Sequence, residues 1–155
     1  MSTSDIFLPD WLTRCAENSP EHLAIQYDQQ QWSFAELDRQ ATRLARRLAT
    51  LGVQEGNRVA LLAANSQSYV AFVHALTRLG AILVPLNLRL TPQELCWQLR
   101  DVHASLLVCD ADYVNLSHEI GQVLPQLPLA TLATISYSGE SRRRCFTISI
   151  TFAAT

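Results

Sequence analysis

Four histidines, at 22, 74, 103 and 118, and four cysteines, at 15, 96, 109 and 145, are the groups in this 155-residue chain best suited to act as bases, nucleophiles or soft metal ligands. Their spacing argues against each role. No Cys-x-x-Cys pair occurs and no histidine stands at a zinc-ligand interval, so neither a metal centre nor a disulfide framework is expected. The cysteines read as small buried hydrophobes in a reducing compartment. His74 falls in an apolar helical run, where a hydrogen-bonded core residue is expected rather than a catalytic base. Glycines at 52, 56, 80, 121 and 139 admit neither G-x-G-x-x-G nor G-x-x-x-x-G-K-[ST], and no G-x-S-x-G elbow is present. Two groups remain. Asn65 and Ser66 close an apolar run, where open α/β sheets place ligands, although helix capping alone accounts for both. Arg39, Arg43, Arg46 and Arg47 share most of one helical face, which is expected to be solvated in preference to forming an anion site. No nucleophile–base or acid–base pair stands out, so no catalytic, cofactor-binding or metal-ligating residue is assigned.

The elements that would position such groups are legible. "PDWLTRCAENSP" reads as a short helix capped by Asp10, with Trp11, Leu12, Cys15 and Ala16 facing inward and Pro20 preventing continuation. "HLAIQY" and "QWSF" read as a hairpin joined by Asp28, Gln29 and Gln30. Ser33 and Glu36 then form a capping box for a helix carrying Leu37, Ala41, Leu44, Ala45, Leu48 and Leu51 at the helical period, with Gly52 at its end. "RVALLAAN" is an unbroken apolar run. Asn65 or Ser66 caps the next helix, "QSYVAFVHALTRLG", which is apolar round most of its circumference and should be buried on more than one side.

Gly80 turns that helix into the strand "AILV", expected to be buried, and Pro85 ends pairing because it has no amide to donate. "LTPQEL" opens another helix with Thr91 as cap, Pro92 in the first turn and Glu94 completing a box; Leu95, Leu99 and Val102 face inward. "SLLVCD" is a third apolar strand, and "DYVNLSHEIGQVL" a helix with Tyr113, Leu116 and Ile120 on one side. Strands that are apolar on both faces and alternate with helices belong to a parallel sheet covered on both sides. The fold class is therefore α/β.

Composition agrees: 48% apolar and 17% charged residues, with a net charge of -2, describe a globular domain. No basic stripe of the nucleic-acid-binding kind occurs in the first 135 residues, and no run is long enough to span a bilayer. The amino terminus, "MSTSDIFLPDWLTRC", lacks the lysines and long apolar core of a signal peptide, so a cytoplasmic protein is expected.

The ordered stretch from "WSFAELDRQ" through "LTRLGAILVPLNLRLTPQEL" to "LRDVHASLLVCD" resembles the amino-terminal part of the acyl-adenylate-forming, AMP-binding enzymes, which include acyl-CoA synthetases, peptide-synthetase adenylation domains and luciferases. The resemblance runs from residue 8 to about residue 115. Within the family, "LPDWLTRCAENSPEHLAIQYDQQQWSF" looks most like the 2-succinylbenzoate–CoA ligase branch of menaquinone biosynthesis, with a general acid–CoA ligase as competitor. The resemblance implies the amino-terminal portion of a layered AMP-binding synthetase fold: a mostly parallel sheet, flanking helices and an amino-terminal β-hairpin. It also implies ATP, magnesium and coenzyme A as cofactors of the complete enzyme, and a small carboxylic acid as substrate. The acid would be activated as an acyl-adenylate and then passed to the thiol of coenzyme A.

The family's phosphate loop, of the type [ST]-[ST]-G-[ST]-[ST]-G-x-P-K, has no counterpart in these residues. "SYSGESRRR" lacks the second glycine and the Pro-Lys. The chain taken alone is accordingly expected to be inactive and to bind these cofactors poorly. Residues 1–135 read as the partial domain and 136–155 as an atypical tail, in which Phe146, Ile148, Ile150 and Phe152 alternate with polar residues. That tail is either a true edge strand or the product of a frameshift or early stop, and self-association through it is expected. A non-catalytic α/β binding domain and a poorly folding pseudogene product are the competing readings of the whole chain.

Overall fold

The computed structural model describes residues 10–136. Helix α1 (Trp11–Asn18) starts at Asp10, whose carboxylate accepts the Leu12 and Thr13 amides. The hairpin follows as β1 (Leu23–Tyr27) and β2 (Gln30–Ser33), paired antiparallel with Tyr27 opposite Gln30. Only Asp28 and Gln29 lie in the turn, so Gln30 belongs to the strand rather than the loop. Asp28 takes φ 52, a left-handed conformation that aspartate tolerates. Phe34, expected to end this strand, is instead the first residue of α2 (Phe34–Thr50), because Ser33 has already become the cap of that helix.

A four-stranded parallel sheet, in the order β4-β3-β5-β6, forms the centre: β3 is Arg58–Leu62, β4 Ile82–Pro85, β5 Leu106–Cys109 and β6 Leu129–Thr131. Alternation along its inner strands explains their unbroken apolar character. Val59, Leu61, Leu106 and Val108 belong to one core, with α1, α2, α3 (Gln67–Leu79) and α6 (Leu132–Ser136). Ala60, Leu62, Leu107 and Cys109 belong to the other, with α4 (Pro92–Asp101) and α5 (Val114–Val123). Every residue of Val59–Leu62 and Leu106–Cys109 is buried. Each fully buried leucine or valine contributes roughly 1.5–3 kcal/mol relative to exposure, which makes this double-faced sheet the main source of stability.

β4 departs from expectation. It is an edge strand, with Ile82 46% exposed and only Leu83 and Val84 half-buried. An apolar run does not reveal which strand will lie outermost, and the order places a neighbour on one side of β4 only. Pro85 remains in register with Leu61 as the last residue of the strand, and Leu86 donates to the Leu61 carbonyl at 2.9 Å. Pairing stops there, as the missing proline amide requires.

The corner before β4 is as expected. Gly80 caps α3 in the left-handed region at φ 64, ψ 20. The Ala81 amide reaches back to Leu76 O at 3.0 Å, satisfying an otherwise orphaned carbonyl of the last turn. Both capping boxes, Ser33 with Glu36 and Thr91 with Glu94, are formed. Leu95 and Leu99 are buried inward, with Val102 half-buried as the cap residue after α4.

Other differences are local. Trp11 and Leu51 fit the helical period but are 57% and 40% exposed, because one opens a short helix and the other lies beyond the last turn of α2. A single 3-10 turn, Ala111–Tyr113, precedes α5, whose buried residues are Ser117 and Ile120. Leu116 and Tyr113 are half-buried against the same core. β6 and α6 extend the fold beyond the elements read from the sequence. The strand-like stretch at 146–152 and Cys145 lie outside the described residues.

Candidate functional site

Strand order fixes where an open α/β sheet can accept a ligand. From β3 the chain passes through α3 on one face to β4; from the adjacent β5 it passes through α5 on the other face to β6. The two connections leave neighbouring strands in opposite directions, so their carboxyl ends flank a topological switch point. Asn65 and Ser66 lie there, as the sequence suggested. Ser66 is the cap of α3 and accepts the Tyr69 amide at 3.2 Å, whereas Asn65 has an exposed side chain.

Asp110, at the end of β5, clamps this region. Its carboxylate accepts the Ala64 amide at 2.9 Å and its own amide donates to Leu62 O at 3.1 Å. Burial pushes the Asp110 carboxyl above its usual value and nearby Asp112 acts the same way, while the Ala64 amide pulls it down. Burial likewise raises the Cys109 thiol, so it is a poor nucleophile, and Cys96 is raised by the same cause. Cys15, Cys96 and Cys109 are unbridged.

Beside Asp110 an open depression of about 370 Å3 runs across the carboxyl ends of β3 and β4. Ala63, Ala64, Asn65 and Tyr69 line one side; Leu86, Asn87, Leu88 and Arg89 line the other. Asn87 shapes its own loop, its side-chain oxygen accepting the Arg89 amide at 3.0 Å. The lining offers two carboxamides, a phenol and an exposed guanidinium around a small apolar floor. Such a set can orient a polar or anionic ligand but supplies no acid–base pair. Asn87, Arg89 and Tyr69 do not stand out in the sequence; the Pro-Leu-Asn that ends β4 is the signal that points to them.

The histidines do not converge here. His22, His103 and His118 are exposed on separate elements. His74, on α3, is half-buried and meets the edge of the Trp11 ring, with centroids 5.3 Å apart and planes at 71°. This ring contact takes the place of the expected hydrogen bond. Burial lowers its pKa, the positive charge of Arg78 lowers it further, and Asp10 opposes both.

A polar cluster close to His74 is not legible in the sequence. Arg78 donates from Nε to Asp10 at 2.7 Å and from Nη2 to Asp38 at 2.6 Å, and also reaches Thr42 Oγ1, Thr13 Oγ1 and the Asp38 carbonyl. Its guanidinium thereby joins α1, α2 and α3. Burial alone would raise the Asp10 carboxyl, but hydrogen bonds from Arg78 and Thr13 and the arginine charge outweigh it, and the pKa falls below its usual value. This cluster ties the three helices together. Among the described residues no group of three His, Cys, Asp or Glu side chains could hold a metal ion, and no helix is long and apolar enough to cross a membrane.

Residues 12–148 match the family of AMP-binding enzymes. The 2-succinylbenzoate–CoA ligase of Geobacillus kaustophilus is 39% identical over 131 residues, covering 84% of this chain and 27% of that protein. The O-succinylbenzoate coenzyme A synthetase of Bacillus subtilis, solved with ATP and magnesium, superposes with a TM-score of 0.77 at 29% identity, covering 86% of this chain and 35% of that one. An anthranilate–CoA ligase in complex with anthranoyl-AMP gives a TM-score of 0.74 at 28% identity, over 81% of this chain and 24% of that one. The chain thus spans about a quarter to a third of the length of these proteins.

Proposed function

Because the chain belongs to the AMP-binding enzyme family, we propose that it is the amino-terminal part of an ATP-dependent carboxylic acid–CoA ligase of the 2-succinylbenzoate type. The complete enzyme would join the acid to AMP with release of pyrophosphate, then transfer the acyl group from the adenylate to the thiol of coenzyme A, releasing AMP. The observation that carries this reading is the likeness of 86% of the chain, at a TM-score of 0.77, to the B. subtilis synthetase. Long-chain and general acid–CoA ligases share the fold, and the succinylbenzoate branch is preferred for its 39% identity over most of the chain.

The described residues do not fit a bound magnesium–triphosphate: they provide no metal-ligating cluster and no glycine-rich cradle. What the described residues supply is a rigid sheet that ends in an open, cation-bearing depression. Arg89 and the two asparagines there are suited to face a charged substrate or cofactor. The complete enzyme would act in the cytoplasm on small molecules, without nucleic acid; in the sequence, residues 1–135 would be its partial domain and residues 136–155 an atypical tail, a division that falls at the last residue of α6.

A chimaera tests the proposal. Residues 10–136 would replace the matching segment of the G. kaustophilus ligase, and 2-succinylbenzoyl-CoA formation would be followed with benzoate and a fatty acid as comparison acids. Thioester formation from 2-succinylbenzoate is expected. A folded chimaera that uses benzoate or the fatty acid but not 2-succinylbenzoate would refute the succinylbenzoate assignment. The 155-residue chain alone should show no ATP–pyrophosphate exchange with any of these acids, and exchange above a no-protein control would refute the proposal that it is inactive by itself.

A further inference from the structure

α2 carries a second concavity, unrelated to the switch point. A groove of about 550 Å3 runs along the helix and is lined by Asp38, Arg39, Thr42, Arg43, Arg46 and Arg47. Its acid is already taken, since Asp38 accepts Arg78 at 2.6 Å. After Asp38 the helix reads "RQATRLARRLAT", with no further carboxylate. Arg47 is fixed at one end by its hydrogen bond to the Ile135 carbonyl at 2.8 Å, which also brings α6 against the groove. Arg39, Arg43 and Arg46 have neither an ion pair nor a hydrogen bond among the described residues.

This arrangement costs the helix stability. Arg39 with Arg43, and Arg43 with Arg47, are like charges four residues apart, a spacing that destabilises a helix when no acid intervenes. The helix dipole favours Arg46 and Arg47 near the carboxyl end but does not reach Arg39 or Arg43 in the middle. Arg39 and Arg43 break this local rule with no ion pair among the described residues to compensate, which is where a site kept for a ligand is to be sought.

The groove's volume lies within the roughly 300–1,000 Å3 of small-molecule sites, and every residue lining it is polar or charged, their aliphatic stems forming part of the wall. Guanidinium forks match the oxygens of phosphate groups in charge and geometry. We infer that the arginine groove of α2 binds a small multiply charged anion of the diphosphate class. The anion would replace the missing carboxylates, bridging Arg43 and Arg46 and drawing in Arg39, with the Thr42 hydroxyl as an additional donor. Free pyrophosphate and the phosphate chain of a nucleotide share the chemistry that the groove would recognise.

Calorimetric titration of the 155-residue chain with sodium pyrophosphate, at ionic strength held constant with sodium chloride, tests this. Saturable one-site binding is expected. The doubly substituted R43Q/R46Q chain should bind about tenfold more weakly or worse, with an unchanged helical signal. Arg100→Gln, on α4 across the sheet, should bind as the parent does. Two-dimensional NMR of the unsubstituted chain gives a second measurement, independent of how the variants fold: the shifts should fall on residues 39–47. Parallel titrations with AMP and ATP separate the sources, since ATP and pyrophosphate should bind comparably and AMP more weakly. Heats indistinguishable from added chloride, binding that survives R43Q/R46Q, or shifts elsewhere in the chain would overturn the inference. So would binding of ATP without pyrophosphate. A glutamate-rich peptide displacing pyrophosphate at equal charge would reassign the groove to an acidic protein partner.

Discussion

Replacing Gly80 by valine, alanine and asparagine in turn should separate backbone strain from steric contact at the corner between α3 and β4. The left-handed conformation at φ 64 costs an ordinary L-residue about 1–2 kcal/mol. The frame around it is not free to relax: the Gly80 carbonyl accepts the Gly56 amide at 2.9 Å, its amide donates to Thr77 O at 3.2 Å, and Ala81 bonds Leu76 O at 3.0 Å. A Cβ at this position would stand 2.9 Å from Glu55 Cγ. Glu55 is exposed and can swing aside, so that contact adds little. Alanine should therefore cost about 1–2 kcal/mol, and valine about 2–3 kcal/mol because its branched Cβ crowds the backbone in this region. Asparagine, which tolerates the conformation, should cost less than about 1 kcal/mol. For a domain of this size each kcal/mol moves the melting temperature by roughly 2–4 °C, so valine should lower it by roughly 4–12 °C. Thermal unfolding followed by far-ultraviolet circular dichroism reads all three. A valine variant melting within about 1 °C of the parent, or an asparagine variant as damaged as valine, would refute the assignment of the cost to left-handed strain.

Asp10→Asn removes one carboxylate from Arg78 and should cost about 1–2 kcal/mol in urea denaturation; Asp10→Asn having no effect in an Arg78→Met background would confirm the coupling, and an undiminished loss would refute it. Because the folded-state pKa of His74 lies below its unfolded value, the unfolded chain binds the extra proton, and stability should fall as the pH drops below about 6.5. His74→Gln should flatten that slope in denaturation series between pH 7.5 and 5.5, and an unchanged slope would assign it to other groups. Asp10 has a depressed carboxyl pKa, so its contribution is present above about pH 4 and is lost at lower pH. Ending the chain after Ser136 retains α6 and its bond to Arg47, and should reduce light scattering from self-association without loss of helical signal; loss of that signal from a parent that is monomeric would make the tail a true strand of the fold.

Features written in a few consecutive residues are legible in the amino-acid order itself. Ser33 with Glu36, Thr91 with Glu94, Asp10 and Gly80 each act on backbone within four positions, and all four do what their spacing implies. Strand order is different. "AILV" is as apolar as "LLVC", yet one is an edge strand and the other is wholly buried, because the order β4-β3-β5-β6 is decided by how helices pack and not by any single strand. The switch point depends on that order, so Asn65 could be suggested but Asp110, Asn87 and Arg89 could not be joined to it. Arg78 meets partners 68 and 40 residues away, a pairing no local pattern encodes. β6 escapes a reading by periodicity because three residues between prolines and a short helix give too little pattern to recognise.

The attachment of α1 carries a consequence for motion. Eight residues are too few for a helix to persist in water by itself. Its order is therefore borrowed from Leu12, which is wholly buried, and from the Asp10 and Thr13 contacts to Arg78. The inner strands of the sheet are packed on α2, α3 and α6 on that face as well as on α1, and on α4 and α5 on the other. α1 should thus open as a separate unit, its amides exchanging with deuterium well before those of β3 and β5, and with protection relative to the intrinsic rate falling further in acid as Asp10 takes up a proton and loosens its hold on the arginine.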